Sequence, residues 1–380
     1  MATTKVSGEL VDLNEATSES GLKIPTGTNN NRPATDVAGM VRNNTNEASE
    51  GSASCEEYYS GAAWKKINNV ALPPDFKNIA FTGNGGTQSI TGIGFKPDFV
   101  WIKSTSGNTY SHVWTDSTRG VNSQIYSNDS TAATNLVNNV TSFDADGFSL
   151  GSGLGSNANG ANYLAFCWKA NGGTTSSNTD GSTTSTVQAN QSLGFSIVKY
   201  TGTGSSASIG HGLSSAPEII ILKKLTGSSD WLAGALDWTK YLEPNGTPPF
   251  RTANVWQDTA PTSSVFTVIN SSNTNGEDYI AYCFHSASGY SKFGTYVGTG
   301  SSNSITGLGF QPSWVLIKST TTTENWPIFS SSIADNYIEV NTGATAQSFT
   351  FPFDSDGFTV PASSGMTNGN GVTYLYLAFK

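Results

Sequence analysis

Apolar and polar positions follow one order three times along the chain. A Gly-rich polar turn leads to a proline, then a run of apolar residues, then a lysine, in Ser89–Lys103, Ser208–Lys223 and Ser304–Lys318. The step from proline to lysine is six residues each time: Pro97 to Lys103, Pro217 to Lys223 and Pro312 to Lys318. Recurrence at this spacing marks an array of similar units. Each unit opens on an apolar run that ends in an aromatic residue before a Gly turn, at Phe81, Tyr200 and Tyr296. Each closes on an aromatic run, Tyr163–Lys169, Tyr279–His285 and Tyr374–Lys380. Short apolar runs bounded by Gly, Asn and Ser predict strands. Period-two alternation is only partial in Phe195–Tyr200, so some strands are expected to be buried on both faces. Proline suits the entry to such a strand, and the lysine at its exit is expected to seek solvent.

The fold class predicted is all-β: a small N-terminal strand and hairpin module, then three tandem antiparallel β-sandwich or jelly-roll-like repeats. The boundaries read from the pattern are a docking arm at 1–20, the hairpin module at 21–70, and repeats at 77–170, 194–285 and 290–380. Residues 171–193 are rich in Gly, Ser and Thr and are expected to be a flexible linker. Only four residues separate the second and third repeats, which are therefore expected to pack more rigidly. In the hairpin module, Tyr58, Tyr59 and Trp64 to Ile67 flank a turn at Ser60 and Gly61.

Composition narrows the function. Charged residues make up 12% of the 380 residues, and Gly, Ser, Thr and Asn supply most of the polarity. The formal net charge of −9 argues against a sequence-blind nucleic-acid binder, which needs a basic face for phosphates. No polybasic segment suggests an anionic lipid surface. Cys55, Cys167 and Cys283 are odd in number and widely spaced, so neither a disulfide framework nor a zinc site is expected. Cys167 and Cys283 occupy equivalent places in apolar runs and read as small buried hydrophobes. The first 30 residues lack a continuous apolar segment, so no secretory signal is expected. No run is long enough to predict membrane insertion, and no cofactor motif is present.

Two resemblances carry more. Leu22–Thr28, Arg32-Pro33, Gly39–Thr45 and Glu57–Ile67 form an ordered signature. Over roughly residues 21–69 it resembles the N-terminal collar-type module of bacteriophage tail fibres. The first repeat joins Thr82–Lys103, then His112, Asp116, Ser117, Arg119 and Gly120, then Ser142–Gly151, then Tyr163–Ala170. That combination resembles a domain that recurs in marine, cyanophage-type virion proteins of unassigned function. The third repeat keeps its first and third elements and part of the last, and the second departs most. The resemblances imply a virion protein made in the host cytoplasm and joined to other virion proteins, a tail adaptor or nozzle or the capsid, through its N-terminus. They also imply a homotrimer, for which no coiled-coil heptad is present.

Several residue groups combine chemical potential with a structural role. Asp144, Asp146, Asp354 and Asp356 lie in matching Asp-x-Asp-Gly turns, the opening of many calcium loops. No bidentate Glu follows, so turn formation is the expected role and no metal is expected. His112, Asp116 and Arg119 could meet as a polar cluster, and Ser117 completes a formal nucleophilic trio. No nucleophile elbow accompanies it, and the cluster is expected to be structural. Trp114, Trp231, Trp238, Tyr241, Asn245, Trp256 and Trp326 are the candidates for a glycan face, because pyranose C–H faces stack on aromatic rings beside amide side chains.

The function expected is that of a non-enzymatic phage structural protein, a short tail fibre or related appendage that contacts host-surface polysaccharide through its β-repeats. The alternative is a capsid fibre or decoration protein. A glycan-degrading tailspike ranks below both: Asp237 and Glu243 offer carboxylates, but no long β-helix is visible.

Overall fold

Phe99–Ser104, the strand between the first recurrent proline and lysine, is buried along its whole length, and its two faces enter different cores. In this computed structural model Val100 and Ile102 face one cluster, while Phe99 and Trp101 face another. The model describes residues 75–380 apart from Asn108, Ser363 and Ser364, together with strands at Thr26–Gly27, Val41–Asn44, Cys55–Tyr59 and Trp64–Lys66. Residues 1–72 and 73–380 form separate units. In the first, the four strands make one sheet in sequence order, with Cys55–Tyr59 and Trp64–Lys66 paired antiparallel as the expected hairpin. The docking arm and the rest of the collar-like module lie outside the described residues.

The second unit holds three sandwiches built on one plan. A closing strand lies between an opening strand and a middle strand, antiparallel to both. The closing strands are Asn162–Trp168, Asp278–Phe284 and Thr373–Phe379. The middle strands are Phe99–Ser104, Ile219–Lys224 and Trp314–Ser319, and a fourth strand flanks each: Val113–Asp116, Leu232–Ala235 and Pro327–Ser330. Each plan grows to a six-stranded sheet, faced by a smaller sheet of three, two and three strands in the successive sandwiches.

Alternation along the closing strands explains the packing. Tyr163, Ala165 and Cys167 face the core of their own sandwich, and burial pushes the Cys167 thiol up in pKa. Leu164, Phe166 and Trp168 face outward into a core shared by all three sandwiches. Trp168, Phe284 and Phe379, equivalent by register, lie with ring centroids 5.6 to 6.4 Å apart. Three outer sheet faces therefore meet around this triangle.

The lysines close the ring. Lys103, Lys223 and Lys318 are fully buried, not solvent-seeking as expected. Period two places each on the same face as Phe99 and Trp101 or their counterparts, so each points at a neighbouring sandwich. Lys223 Nζ donates to the Ser130 carbonyl at 2.9 Å, Lys318 Nζ to that of Thr247 at 2.8 Å and Lys103 Nζ to that of Gly343 at 3.0 Å. The second sandwich thus reaches the first, the third reaches the second, and the first reaches the third. Backbone bonds repeat the cycle: Ala133 N to Leu225 O, Phe250 N to Thr320 O and Ala346 N to Thr105 O. All three contacts are head-to-tail, and the rotation closes within one chain.

Residues 171–193 correct a second expectation. They contain the strands Ser176–Asn178 and Ser185–Asn190, which extend the second sheet beyond its opening strand. The exposed edge of Phe195–Thr201 needs partners for its backbone groups, and the Ser/Thr-rich segment supplies them. Gln188 Nε2 then donates to Ser117 Oγ and Thr118 Oγ1 of the first sandwich. The expected contrast between a loose first junction and a rigid second one is absent.

Two outcomes follow from this closure. Phe379→Ala should cost about 3–5 kcal/mol, as for other buried aromatic truncations, and should lower one shared denaturation midpoint. Hydrogen exchange in which the third sandwich opens while the other two keep wild-type protection would contradict the shared core. The lysines set a pH dependence. Burial lowers Lys103, Lys223 and Lys318 from 10.5 to about 8. Below about pH 8 they are charged in both folded and unfolded chains, and the burial penalty is carried in full. Above it the folded state holds fewer protons than the unfolded one, so stability rises with pH. Tyr200 and Tyr282, raised well above 10.0, oppose this rise once unfolded tyrosines ionise. Urea midpoints should therefore climb from about pH 8 to 9.5, and less so in Lys223→Met; equal profiles in the two proteins would refute the assignment.

Candidate functional site

The polar cluster of the first sandwich is fully committed. His112 Nδ1 accepts from Trp101 Nε1 at 2.8 Å, so its proton sits on Nε2, which donates to the Glu339 carbonyl at 2.8 Å. Burial first, and the Lys103 ammonium second, hold its pKa well below the usual value. His112 occupies the register position of Trp231 and Trp326, whose Nε1 atoms donate to Tyr126 O and Gly246 O at 2.9 and 3.0 Å. It is a bridge between sandwiches. Asp116 accepts from Arg119 Nε at 2.5 Å and from Tyr282 Oη of the second sandwich at 2.7 Å. Arg119 also donates to the carbonyls of Ser123 and Trp114. Ser117 Oγ donates to Asp98 at 2.8 Å, so the formal trio of Ser117, His112 and Asp116 does not assemble.

The carboxylates of the Asp-x-Asp-Gly turns bond nearby backbone amides and hydroxyls. Asp146 accepts from Gly92 N and Gly94 N at 3.0 and 2.6 Å, and these bonds hold its carboxyl below the usual range. Asp356 accepts in the same way from Gly307 N and Gly309 N at 3.0 and 2.7 Å. Asp144 takes the hydroxyls of Ser142 and Ser149, and Asp354 that of Thr359. Among the described residues no group of three His, Cys, Asp or Glu side chains could hold a metal ion.

Most glycan candidates are core residues. Trp114, Trp231 and Trp326 lie in the shared core and Trp256 in the core of the second sandwich, so none can offer a ring face to a ligand. Asn245 is spent on Trp231 N and Asp230. Of the aromatic candidates Trp238 and Tyr241 are half-buried, and the Trp238 ring packs edge-on against Trp256 at 5.6 Å.

An open site lies elsewhere in the first sandwich, over the outer end of its sheet. A groove of about 590 Å³ runs between residues 135–139 and a single helical turn, Leu154–Asn157. Val113 and Tyr126 form part of its floor. The buried Asn139 ties the walls together: its Nδ2 donates to Gln124 Oε1 at 2.6 Å and its Oδ1 accepts from Ser156 Oγ at 2.8 Å. Asn157 Nδ2 fixes the helical turn by donating to the carbonyls of Gly86 and Gly151 at 2.7 and 2.8 Å. Gly153 allows the close approach, because a Cβ there would sit 2.0 Å from Asn139 Oδ1. The rim exposes Leu136, Val137 and Leu154 at 43, 60 and 58%. No charged residue lines the groove.

A buried position two residues along the strand from Val113 is filled differently in the three sandwiches. Thr115, Gly234 and Phe329 share one register position. In the third sandwich Phe351 stacks on Phe329 at 3.9 Å, and Phe349 meets Tyr337 at 6.0 Å. In the second, Trp238 and Trp256 cover Gly234 so closely that an added Cβ would lie 2.3 Å from the Trp238 ring and 2.9 Å from that of Trp256. The first sandwich has Thr115 and Gln124 where the third has Phe329 and Tyr337. Register alignment of the three units reveals this difference beside the groove, which aromatic content alone does not.

Comparison with known proteins adds one finding. No curated protein and no solved structure matches the chain. A family model described as a domain of unknown function (DUF7483) matches residues 73–380, a span that takes in all three sandwiches and coincides with the second unit. The chain therefore belongs to the DUF7483 family, with the closed ring of three sandwiches as its domain.

Proposed function

We propose that this chain is a structural protein of a phage particle, an appendage that joins the particle through its N-terminal module and presents the three-sandwich domain to a host-surface glycan. The observation that carries the reading is the division of labour in residues 73–380. The buried polar cluster and the three lysines are used to join sandwiches, and the groove of about 590 Å³ in the first sandwich is lined by no charged residue. Such a body suits adhesion better than acid–base chemistry. The carboxylates considered for glycoside hydrolysis are also engaged: Glu243 accepts from Arg251 Nη1 at 2.8 Å, and Asp237 is held near a pKa of about 2 by Lys240 and Thr239. The N-terminal resemblance to tail-fibre modules supports attachment at that end.

The ring changes the expectation about assembly. Threefold closure is complete inside one chain, so no partner chain is needed to bury these sheet faces. A homotrimer would be held through other surfaces. The groove occurs in one sandwich of three, so avidity would come from several chains on one particle and not from three sites in one chain.

Immunogold labelling of intact particles with antibodies to the full chain should place it at the tail. Label confined to the head would move the assignment to a capsid fibre or decoration protein, and unlabelled particles would end the virion reading.

A further inference from the structure

We infer that the groove of the first sandwich binds an uncharged saccharide bearing an N-acyl substituent, a ligand class that deepens, and rests on, the host-glycan reading above. The volume of about 590 Å³ falls in the range of small-molecule sites, roughly 300–1,000 Å³. No cation lines the groove, so a sialic acid, uronic acid or sulfated sugar would find no charged partner for its anion there. What the groove does present is amides and hydroxyls beside aliphatic groups. The side chains of Asn135, Asn138 and Ser152 have no partner among the described residues, and an amide both donates and accepts, as sugar hydroxyls require. Leu136, Val137 and Leu154 offer apolar surface in the same place. A plain hexose has little use for three aliphatic side chains, whereas an acetamido methyl does.

The fold itself does not demand the opening. Beside it, Phe351 in the third sandwich and Trp238 and Trp256 in the second cover the position equivalent to Thr115 with rings. The first sandwich forgoes that packing and instead secures the walls with the Asn139, Gln124 and Ser156 bonds. Exposed apolar groups gathered around a rigid concavity mark an interaction site.

The test is titration calorimetry of the full chain with chito-oligosaccharides, partly deacetylated chito-oligosaccharides, cello-oligosaccharides of equal length and polysialic acid. Saturable binding is expected for the acetylated chains alone, at least tenfold tighter than for the others. Ser152→Trp and Leu154→Ser alter exposed rim positions, so unfolding midpoints should hold while affinity drops tenfold or more. Trp238→Ala, in the second sandwich, should leave affinity unchanged. No saturable binding to any acylated neutral glycan, equal affinity in Ser152→Trp, or binding of polysialic acid in preference would each overturn the proposal. So would concentration-dependent self-association that Leu154→Ser abolishes, since the groove would then serve a second copy of the chain. Loss of glycan binding with gold at the tail removes this site and leaves the attachment reading; binding without gold on the particle does the reverse.

Discussion

A β-sheet with apolar side chains on both faces must be covered twice, and each small sheet in this chain covers only one face. That constraint organises residues 73–380. Leu164, Phe166 and Trp168 and their counterparts would stand in water in any isolated sandwich. Each large buried aromatic side chain removes about 150–250 Å² from solvent, worth roughly 4–6 kcal/mol at 25 cal/mol per Å². Three sandwiches related by a closing rotation solve the problem together, because every outer face finds two others. The triangle of Trp168, Phe284 and Phe379 is where the solution converges. The coincidence of the matched family span with one compact unit has the same origin.

Within that arrangement the buried lysines do something apolar residues could not. Packing alone would hold three greasy sheet faces together in several rotations. An ammonium taken out of water is costly unless it is hydrogen-bonded, and Lys103, Lys223 and Lys318 each bond one carbonyl of their own sandwich, at Ser104, Ser229 and Glu324, and one on the abutting loop of a neighbour. Trp231 and Trp326 stand near two of these ammoniums, with Lys Nζ 6.0 and 5.7 Å from the ring centroids, and donate across the same junctions. The polar bonds add little net stability, but a misrotated assembly would leave each buried ammonium with only the carbonyl of its own sandwich. Register is the property they confer.

The strands, the three units and the all-β class were legible because they rest on local alternation and recurrence. The lysine was misjudged although the needed fact lay in the pattern. Phe99, Trp101 and Lys103 share one parity, so a lysine on that face had to follow its neighbours into the shared core. Treating the run as one apolar block hid the two faces. Residues 171–193 were misjudged by composition: Ser and Thr read as linker until a neighbouring strand edge is known to need them. The tryptophans were misjudged because burial depends on which sheet faces meet, which no single unit reveals. Next to the groove the first sandwich has the buried Thr115 and Gln124 where the third has Phe329 and Tyr337, a difference visible only once register is fixed.

That asymmetry bears on how an array of this kind can acquire a site. Positions that face the common core are held by two neighbouring sandwiches, and change there is felt by the whole ring. The outer end of each sheet is free of that demand. It can be sealed by rings, as with Phe329 and Phe351, or left open if other bonds secure the walls. An open end costs the packing of its missing side chains, on the order of 1–3 kcal/mol for each large apolar side chain not buried. A domain held by one large shared core can bear that cost in one sandwich without losing the others. The closed ring thus does more than bury sheet faces: it lets one of three similar units keep an unfilled groove, while its counterparts remain core.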